Sequence, residues 1–129
     1  ILELDGVTRF AVFKTIDDKN SGATQLSKGI EIEFQDSWRT EIPAYELDKM
    51  LALGMVPASV ERTYAGRQGS LQAWVDLGIS DAERQKKKIQ VPDVEAWNRQ
   101  MFKVRMFDNL IYNVDRHLNN IWSKDWKII

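Results

Sequence analysis

The sequence predicts an α+β fold, with a sheet-rich first half and a helical second half. Apolar and polar side chains alternate in several short stretches between residues 1 and 75, with the period of a half-buried strand. Helical periodicity is strongest between Asp93 and Ile111, in the second half. Paired strands followed by helices are typical of α+β domains, whereas α/β domains alternate the two regularly.

Length, charge and composition limit the class of protein. With 129 residues, 43% of them apolar, the chain can bury a core, and it has no cysteine for a disulfide or a thiolate metal site. A formal net charge of −1 gives no electrostatic case for binding nucleic acid or an anionic membrane. No apolar run approaches the ~20 residues of a membrane span. We therefore expect a cytoplasmic protein without a transmembrane segment.

The first elements read as a hairpin and a polar loop. Residues 2–4 alternate and lead into the turn signal Asp5-Gly6, and residues 9–16 alternate again. Residues 17–28 are rich in Asp, Ser, Lys and Gly, which predicts a loop. A further short strand can follow over residues 30–34.

A helix is predicted from Thr40 to Leu53, followed by a second hairpin. Thr40 is the expected N-cap and Gly54 the stop, with an apolar stripe formed by Leu47, Met50 and Leu51. Residues 59–64 and 70–75 are the predicted strands of the hairpin, bracketing a glycine-containing turn over residues 65–69.

The second half is predicted to be a connector, two helices, a loop and a small hairpin. Residues 76–80 connect to a charged, exposed helical stretch over residues 81–88. Asp93 then caps a long helix, whose buried stripe is expected to be Trp97, Met101, Val104, Phe107 and Ile111. The loop of residues 113–120 follows it, and residues 121–129 form the hairpin.

Lys14 places a positive charge on the apolar face of a predicted strand. It shares a strand face with Phe10, Val12 and Ile16, and a buried ammonium requires a partner. One interpretation is an edge-strand lysine that reaches solvent; the other is a lysine paired with nucleotide phosphates and a helix glutamate. Glu41 is the candidate glutamate, although an acid in a first helical turn is also favoured by the helix dipole alone.

The loop of residues 113–120 carries the strongest chemical signal. Asp115 precedes Asn120 by five residues, so a tight loop can bring both side chains to one point. There an Asp can deprotonate an attacking hydroxyl and an Asn oxygen can bind Mg²⁺. A plain helix-terminating loop is the alternative, because Asn and Asp bond their own backbone. His117 can bond the loop or a phosphoryl group, and zinc is not expected without cysteine or a second histidine.

The chain resembles the atypical kinase superfamily that includes phosphoinositide kinases and HipA-type bacterial kinases. Asp115-Arg116-His117 followed by Asn120 is similar to the phosphoinositide-kinase loop, and with Asn113 it also fits the HipA-like form. Three further stretches resemble an uncharacterised bacterial branch of this group: residues 11–14, 41–60 and 69–75. The resemblance covers nearly the whole chain, and the loop is its most specific part.

The resemblance implies a kinase-like two-lobe fold and a set of site residues. Residues 1–75 would be the N-lobe, and residues 76–129 the hinge, long helix, catalytic loop and following hairpin of a truncated C-lobe. ATP and Mg²⁺ are the implied cofactors. Asp115 would be the catalytic base, with His117 beside it and Asn120 as a metal ligand. The implied nucleotide-binding residues are Lys14 on the phosphates, Glu41 holding Lys14, Val12 over the adenine, and Trp74 and Val75 at the hinge.

The implied activity is transfer of the ATP γ-phosphate to a hydroxyl of a protein, lipid or small molecule. The alternatives are a pseudokinase or nucleotide-binding interaction module without catalysis, and adenylyl transfer on the same fold. Because Ile1 is not an initiator methionine and residues 126–129 stop in mid-strand, we expect an excerpt of a longer protein. The phosphate-covering loop and the second metal-binding Asp would lie outside it. We expect the full-length parent to be active and this excerpt to be inactive alone.

Overall fold

The fold is α+β. A computed structural model of the chain describes residues 1–19, 23–26, 29–32 and 35–129. The chain divides into two compact units, Ile1–Asp76 and Leu77–Ile129. No helix in the described parts of the chain is long and apolar enough to cross a membrane.

The described residues of the first unit form a three-stranded antiparallel sheet, three two-stranded pairs and one helix. The strands are β1 (Leu2–Leu4), β2 (Val7–Arg9), β3 (Ala11–Lys14), β4 (Asp17–Lys19), β5 (Ala23–Leu26), β6 (Gly29–Ile32), β7 (Gln35–Ser37), β8 (Ser59–Tyr64) and β9 (Arg67–Ala73); helix α1 is Trp38–Met50. The main sheet has the order β3-β9-β8, and β1-β2, β4-β7 and β5-β6 form the pairs. Helix α1 packs on β8 and β9.

The expected loop over residues 17–28 is wrong where it is described, because β4 and β5 lie within it. β4 pairs with β7, and β5 forms a hairpin with β6. A two-stranded ribbon is held by backbone hydrogen bonds, so polar composition does not exclude it. Residues 20–22 and 27–28, and Phe34 of the predicted strand, lie outside the described residues.

Both predicted hairpins form, with different partners or lengths. Asp5-Gly6 (φ 51° and 74°) and Ala65-Gly66 (φ 50° and 76°) make two-residue turns with positive φ at both positions, as type I′ requires. Of the predicted second strand over residues 9–16, only Arg9 pairs with β1, as the last residue of β2. Residues 11–14 form β3, which pairs with β9 in the main sheet. The turn of the second hairpin is shorter than residues 65–69, because Gly69 belongs to β9.

Helix α1 begins two residues before the predicted N-cap. The cap is Ser37, whose Oγ accepts a hydrogen bond from the Arg39 N–H at 3.2 Å. Thr40 lies inside the helix, and its hydroxyl donates to the Ser37 carbonyl at 2.8 Å. Pro43 therefore lies beyond the first turn, so the helix lacks the hydrogen bond that this N–H would have made.

The apolar stripe predicted on α1 is largely wrong. Met50 is 81% exposed and Leu51 is 47% exposed, whereas Asp48 is buried. The Asp48 carboxylate accepts hydrogen bonds from the Gly54 and Met55 N–H groups, both at 3.0 Å. These bonds hold the segment after the helix against its last turn, which leaves Met50 on the outer face.

The second unit contains a three-stranded antiparallel sheet, two helices and a 3₁₀ turn. Its elements are β10 (Ile79–Ser80), α2 (Asp81–Lys86), α3 (Val94–Leu110), the 3₁₀ turn (Leu118–Asn120), β11 (Trp122–Lys124) and β12 (Lys127–Ile128). The strand order is β10-β11-β12. The Gln100 side chain on α3 bonds the Trp126 carbonyl and the Ile128 N–H, both at 2.9 Å, and so holds β12 against the helix.

Helix α2 is not uniformly exposed as predicted. Asp81 is buried, and its carboxylate accepts hydrogen bonds from Arg84 Nε at 2.6 Å and Gln85 Nε2 at 2.7 Å. The Arg84 guanidinium also lies over the Trp97 ring, 5.3 Å from its centroid. This charged helix thus buries one carboxylate, because two neighbouring side chains donate hydrogen bonds to it.

Helix α3 follows the prediction closely on its core face. Asp93 is the N-cap, and its Oδ1 accepts from the Ala96 N–H at 2.9 Å. The buried side chains include Trp97, Val104 and Phe107, while Met101 and Ile111 are half-buried. A second apolar row on the exposed side of the helix is formed by Phe102, Met106 and Leu110.

Each of the three α-helices among the described residues is followed, directly after its C-cap, by a left-handed residue that is not glycine. These residues are Ala52, Lys88 and Tyr112, with φ of 52°, 55° and 55°. After each, a backbone N–H bonds a carbonyl in the last helical turn: Leu53 to Asp48 at 3.1 Å, Ile89 to Arg84 at 3.0 Å, and Asn113 to Asp108 at 2.8 Å. This is the Schellman closure, in which glycine is the preferred residue.

Replacing Lys88 by glycine should stabilise the protein. The substitution removes the steric cost of a left-handed backbone, and we expect a gain of about 0.5–1 kcal/mol. Lys86→Gly is the matched control, because Lys86 is the last residue of α2 and has a helical backbone, at which glycine relieves no strain and costs up to about 0.5–1 kcal/mol. In thermal unfolding, Tm should rise for Lys88→Gly and fall for Lys86→Gly. A lower Tm for Lys88→Gly would contradict the left-handed backbone assigned to Lys88.

Candidate functional site

In the first unit, Lys14, Glu41 and Ser70 form a polar cluster. Lys14 ends β3, opposite Ser70 on β9, and Glu41 lies in the first turn of α1. The Lys14 ammonium forms an ion pair with Glu41 Oε1, and the Ser70 hydroxyl donates to Glu41 Oε2 at 2.6 Å. The glutamate is therefore held from two sides, and it fixes the end of the lysine side chain.

Exposure indicates what this cluster can do. The Lys14 side chain is 41% exposed, the Glu41 side chain 20%, and Ser70 is completely buried. An ion pair this accessible contributes at most about 1 kcal/mol to stability. Its main physical effect is orientation: the ammonium has three donors, so it can bind an anion while it still contacts Glu41.

Gly69 is a site-supporting residue that sequence reasoning missed. A Cβ at this position would lie 2.2 Å from the Lys14 carbonyl oxygen and 2.9 Å from the Phe13 ring. Only glycine lets β9 approach β3 so closely beside Lys14. The available signal was a glycine inside an alternating strand, which often marks close approach of another backbone.

The remaining residues assigned to the nucleotide lie on β3 and after β9. Val12 is half-buried and pairs with Gln72 in the register of the main sheet. The Trp74 N–H donates to the Phe10 carbonyl at 3.0 Å, so this donor is already used within the protein. The Val75 N–H has no partner among the residues that the structure describes. Of the two implied hinge residues, Val75 therefore has the available donor.

In the second unit, Asp108 organises the loop that carries Asp115. Its buried carboxylate accepts hydrogen bonds from Asn113 Nδ2 at 2.9 Å and from two nitrogens of Arg116, Nε at 2.9 Å and NH2 at 2.6 Å. Asp108 is not among the site residues predicted from the sequence. The signal was present, because Asp108 falls four residues after Val104 on the apolar stripe of α3.

Further bonds link the two ends of this loop. Arg116 NH1 donates to the Asn120 carbonyl at 2.8 Å, and Asn120 Nδ2 donates to the Asp115 carbonyl at 3.2 Å. The Asn120 N–H bonds the His117 carbonyl at 3.0 Å within the 3₁₀ turn. The backbone near Asp115 and the side chain of Asn120 are therefore directly connected.

Two oxygen-bearing groups of the loop remain available. No described residue donates a hydrogen bond to the Asp115 carboxylate, and His117 Nε2 lies 4.0 Å from its Oδ2. The Asn120 amide uses its nitrogen within the loop, and no described donor bonds its Oδ1. A carboxylate that receives no hydrogen bond can accept a proton, and an amide oxygen without a donor can ligate a hard cation.

The donor set fits Mg²⁺ only as a partly protein-bound ion. Among the described residues there is no group of three or more His, Cys, Asp or Glu side chains that could hold a metal. Mg²⁺ often binds one or two protein groups and completes its shell with phosphate oxygens and water. Asn120 Oδ1 supplies one such protein oxygen.

Comparison with known proteins gives no family for this chain. No family model matches it, and no curated protein matches its sequence. A function for the chain is therefore inferred from its own residues and their geometry.

Gly69→Ala should destabilise the first unit more than Gly66→Ala. At position 69 the added methyl meets a backbone oxygen, and we expect a loss of about 1–3 kcal/mol. At position 66 it meets open space and costs only the strain of positive φ, about 1 kcal/mol. Chemical denaturation of both variants measures the difference. Equal losses would show that close approach at position 69 is not the constraint.

Proposed function

We propose that this chain belongs to an ATP- and Mg²⁺-dependent phosphotransferase of the atypical kinase type, which transfers the γ-phosphate to a hydroxyl. In this proposal the first unit is the sheet-rich lobe of a kinase-like two-lobe fold. The second unit is the beginning of the helical lobe. The acceptor class is a hydroxyl on a protein, a lipid or a small molecule.

The observation that carries the proposal is the ion pair between Lys14 and Glu41. The resemblance to atypical kinases requires a strand lysine held by a helix glutamate. Neither a strand lysine nor a helix glutamate is specific to kinases by itself. The pair lies in a different unit from the loop motif, so it supports the proposal independently of Asp115 and Asn120. The half-exposed ammonium fits a role in binding phosphate.

The nucleotide-binding roles follow from which groups are available. Lys14 would bind the phosphates with a donor that Glu41 leaves free. Val12, two residues earlier on the same strand face, would contact the adenine ring. The hydrogen bond to the adenine edge is assigned to the Val75 N–H, because the Trp74 N–H bonds Phe10.

The loop residues would carry out the transfer. The acceptor oxygen attacks the γ-phosphorus, its proton passes to the Asp115 carboxylate, and the bond to the bridging oxygen of ADP breaks. His117 would contact the transferring phosphoryl group. Asn120 Oδ1 would help to hold Mg²⁺, which when bound neutralises charge on the phosphates. Most of the rate enhancement would come from positioning and charge stabilisation.

Asp115→Asn should abolish turnover while nucleotide binding is retained. The amide cannot accept the hydroxyl proton, and we expect the rate to fall at least about 100-fold, the lower end for general-base removal. Asp125→Asn is the matched control, because Asp125 lies at φ 50° in an exposed turn, where asparagine is tolerated. Phosphate transfer and ATP affinity are measured in the full-length protein. Activity that survives Asp115→Asn would exclude Asp115 as the base.

Asn120→Ala should raise the Mg²⁺ concentration needed for half-maximal rate. Loss of one oxygen ligand is expected to shift it about tenfold, equivalent to about 1.4 kcal/mol of binding free energy. Asn119→Ala is the control, since Asn119 precedes it in the same 3₁₀ turn and contributes its backbone carbonyl to the Trp122 indole. An equal shift in both variants would point to general disturbance of the turn.

The same assays separate the alternative functions. Mg²⁺-dependent ATP binding without turnover would identify a pseudokinase or nucleotide-binding interaction module. The mass added to the acceptor distinguishes phosphoryl from adenylyl transfer, because an added nucleotide is much heavier than an added phosphate.

A further inference from the structure

We propose that Asp108 is a positioning residue that sets the relative placement of Asp115 and Asn120, an inference that rests on the function proposed above. Asp108 lies in the last turn of α3, outside the residues assigned to catalysis. Its carboxylate is the point at which the bonds from the loop converge. We assign it no contact with substrate.

The hydrogen bonds to the Asp108 carboxylate come from residues on both sides of Asp115. Asn113, two residues before the proposed base, donates to Oδ1 at 2.9 Å. Arg116, one residue after the base, donates to both carboxylate oxygens through Nε, at 3.2 and 2.9 Å, and to Oδ1 through NH2 at 2.6 Å. The backbone that carries Asp115 is thus fixed at both flanks.

The same hydrogen-bond network reaches Asn120, the proposed metal ligand. Arg116 NH1 continues to the Asn120 carbonyl at 2.8 Å. One planar guanidinium therefore spans from the end of α3 to the end of the loop. Because its nitrogens are rigidly arranged, a change at Asp108 alters the placement of Asn120 as well as Asp115.

The Asp108 side chain is not needed to end helix α3. The backbone bond from the Asn113 N–H to the Asp108 carbonyl, at 2.8 Å, already closes α3. An acid in the last helical turn is opposed by the helix dipole. The Asp108 carboxylate is also largely buried, with 10% of its side chain exposed. Its position is locally unfavourable, and the bonds to the loop compensate for that.

Asp48 provides a matched control within the same chain. It also lies two residues before the last residue of its helix, is buried, and has a backbone carbonyl that closes the helix. Its carboxylate accepts hydrogen bonds from the Gly54 and Met55 N–H groups, and neither residue belongs to the proposed site. Asp48→Asn thus reproduces the loss of a buried helix-end charge without touching the loop.

The test compares Asp108→Asn with Asp48→Asn in the full-length protein, at temperatures where each variant is folded. For Asp108→Asn we expect kcat to fall about 10–100-fold, as for other residues that orient ligands, with the Kd for ATP unchanged. The Mg²⁺ concentration for half-maximal rate should rise together with the fall in kcat. For Asp48→Asn we expect a lower Tm and unchanged kcat per folded molecule.

A second readout does not depend on turnover. The side-chain amide resonances of Asn120 report its hydrogen bond to the Asp115 carbonyl, and they should shift in Asp108→Asn but not in Asp48→Asn. If Asp108→Asn does not fold, Arg116→Lys takes its place, because lysine keeps the charge but cannot span Asp108 and Asn120. Arg116→Lys should then shift the Asn120 resonances and raise the Mg²⁺ requirement.

The outcomes separate this inference from the proposed function. Wild-type protein that neither binds ATP nor transfers phosphate overturns the proposed function, and the Asn120 resonances then decide the positioning role alone. Active wild type with unchanged kcat and unchanged Asn120 resonances in the tested loop variant overturns the positioning role alone. A loss of kcat that matches Asp48→Asn would also overturn it.

Discussion

A carboxylate removed from water destabilises a protein by several kcal/mol unless hydrogen bonds replace its hydration, and this constraint shapes both units. Asp48, Asp81 and Asp108 are all buried, and each accepts at least two hydrogen bonds from nearby groups. Asp48 fixes the segment after α1, Asp81 stabilises the start of α2, and Asp108 fixes the loop after α3. The paths of these segments depend on satisfying the three acids.

The proposed chemistry uses groups that this constraint leaves free. Asp115 is separated from Asp108 by seven positions, yet its carboxylate is exposed enough to meet a substrate and receives no hydrogen bond from a described residue. The Lys14 ammonium is likewise held at one side and open at the other. Different residues thus carry the charges that hold the structure and the charges that are proposed to react. The structural charges hold the proposed reactive groups in place.

Periodicity predicted the parts of this fold in which side-chain type and burial agree. The core stripe of α3 and the turn at Asp5-Gly6 followed from spacing and turn chemistry. The contact of Lys14 with Glu41 was expected from position and resemblance. Periodicity failed where polar groups are internal. Asp48 and Asp81 look like surface residues, and Asp108 lies on the apolar stripe of α3, but a sequence does not show the donors that satisfy these acids. The exposure of Met50 on α1 was missed for the same reason, because periodicity does not show the hydrogen bonds of the Asp48 carboxylate that shape the end of this helix.

The span of each network along the chain has a consequence for folding. Asp108 and Arg116 are eight residues apart, whereas Glu41 is 27 residues from Lys14 and 29 from Ser70. Closing a short loop takes about 10–100 ns for ten residues, and the entropy cost rises with length. The loop after α3 can therefore acquire its shape while the chain is still largely unfolded. The Lys14 cluster must wait until β3, α1 and β9 have assembled.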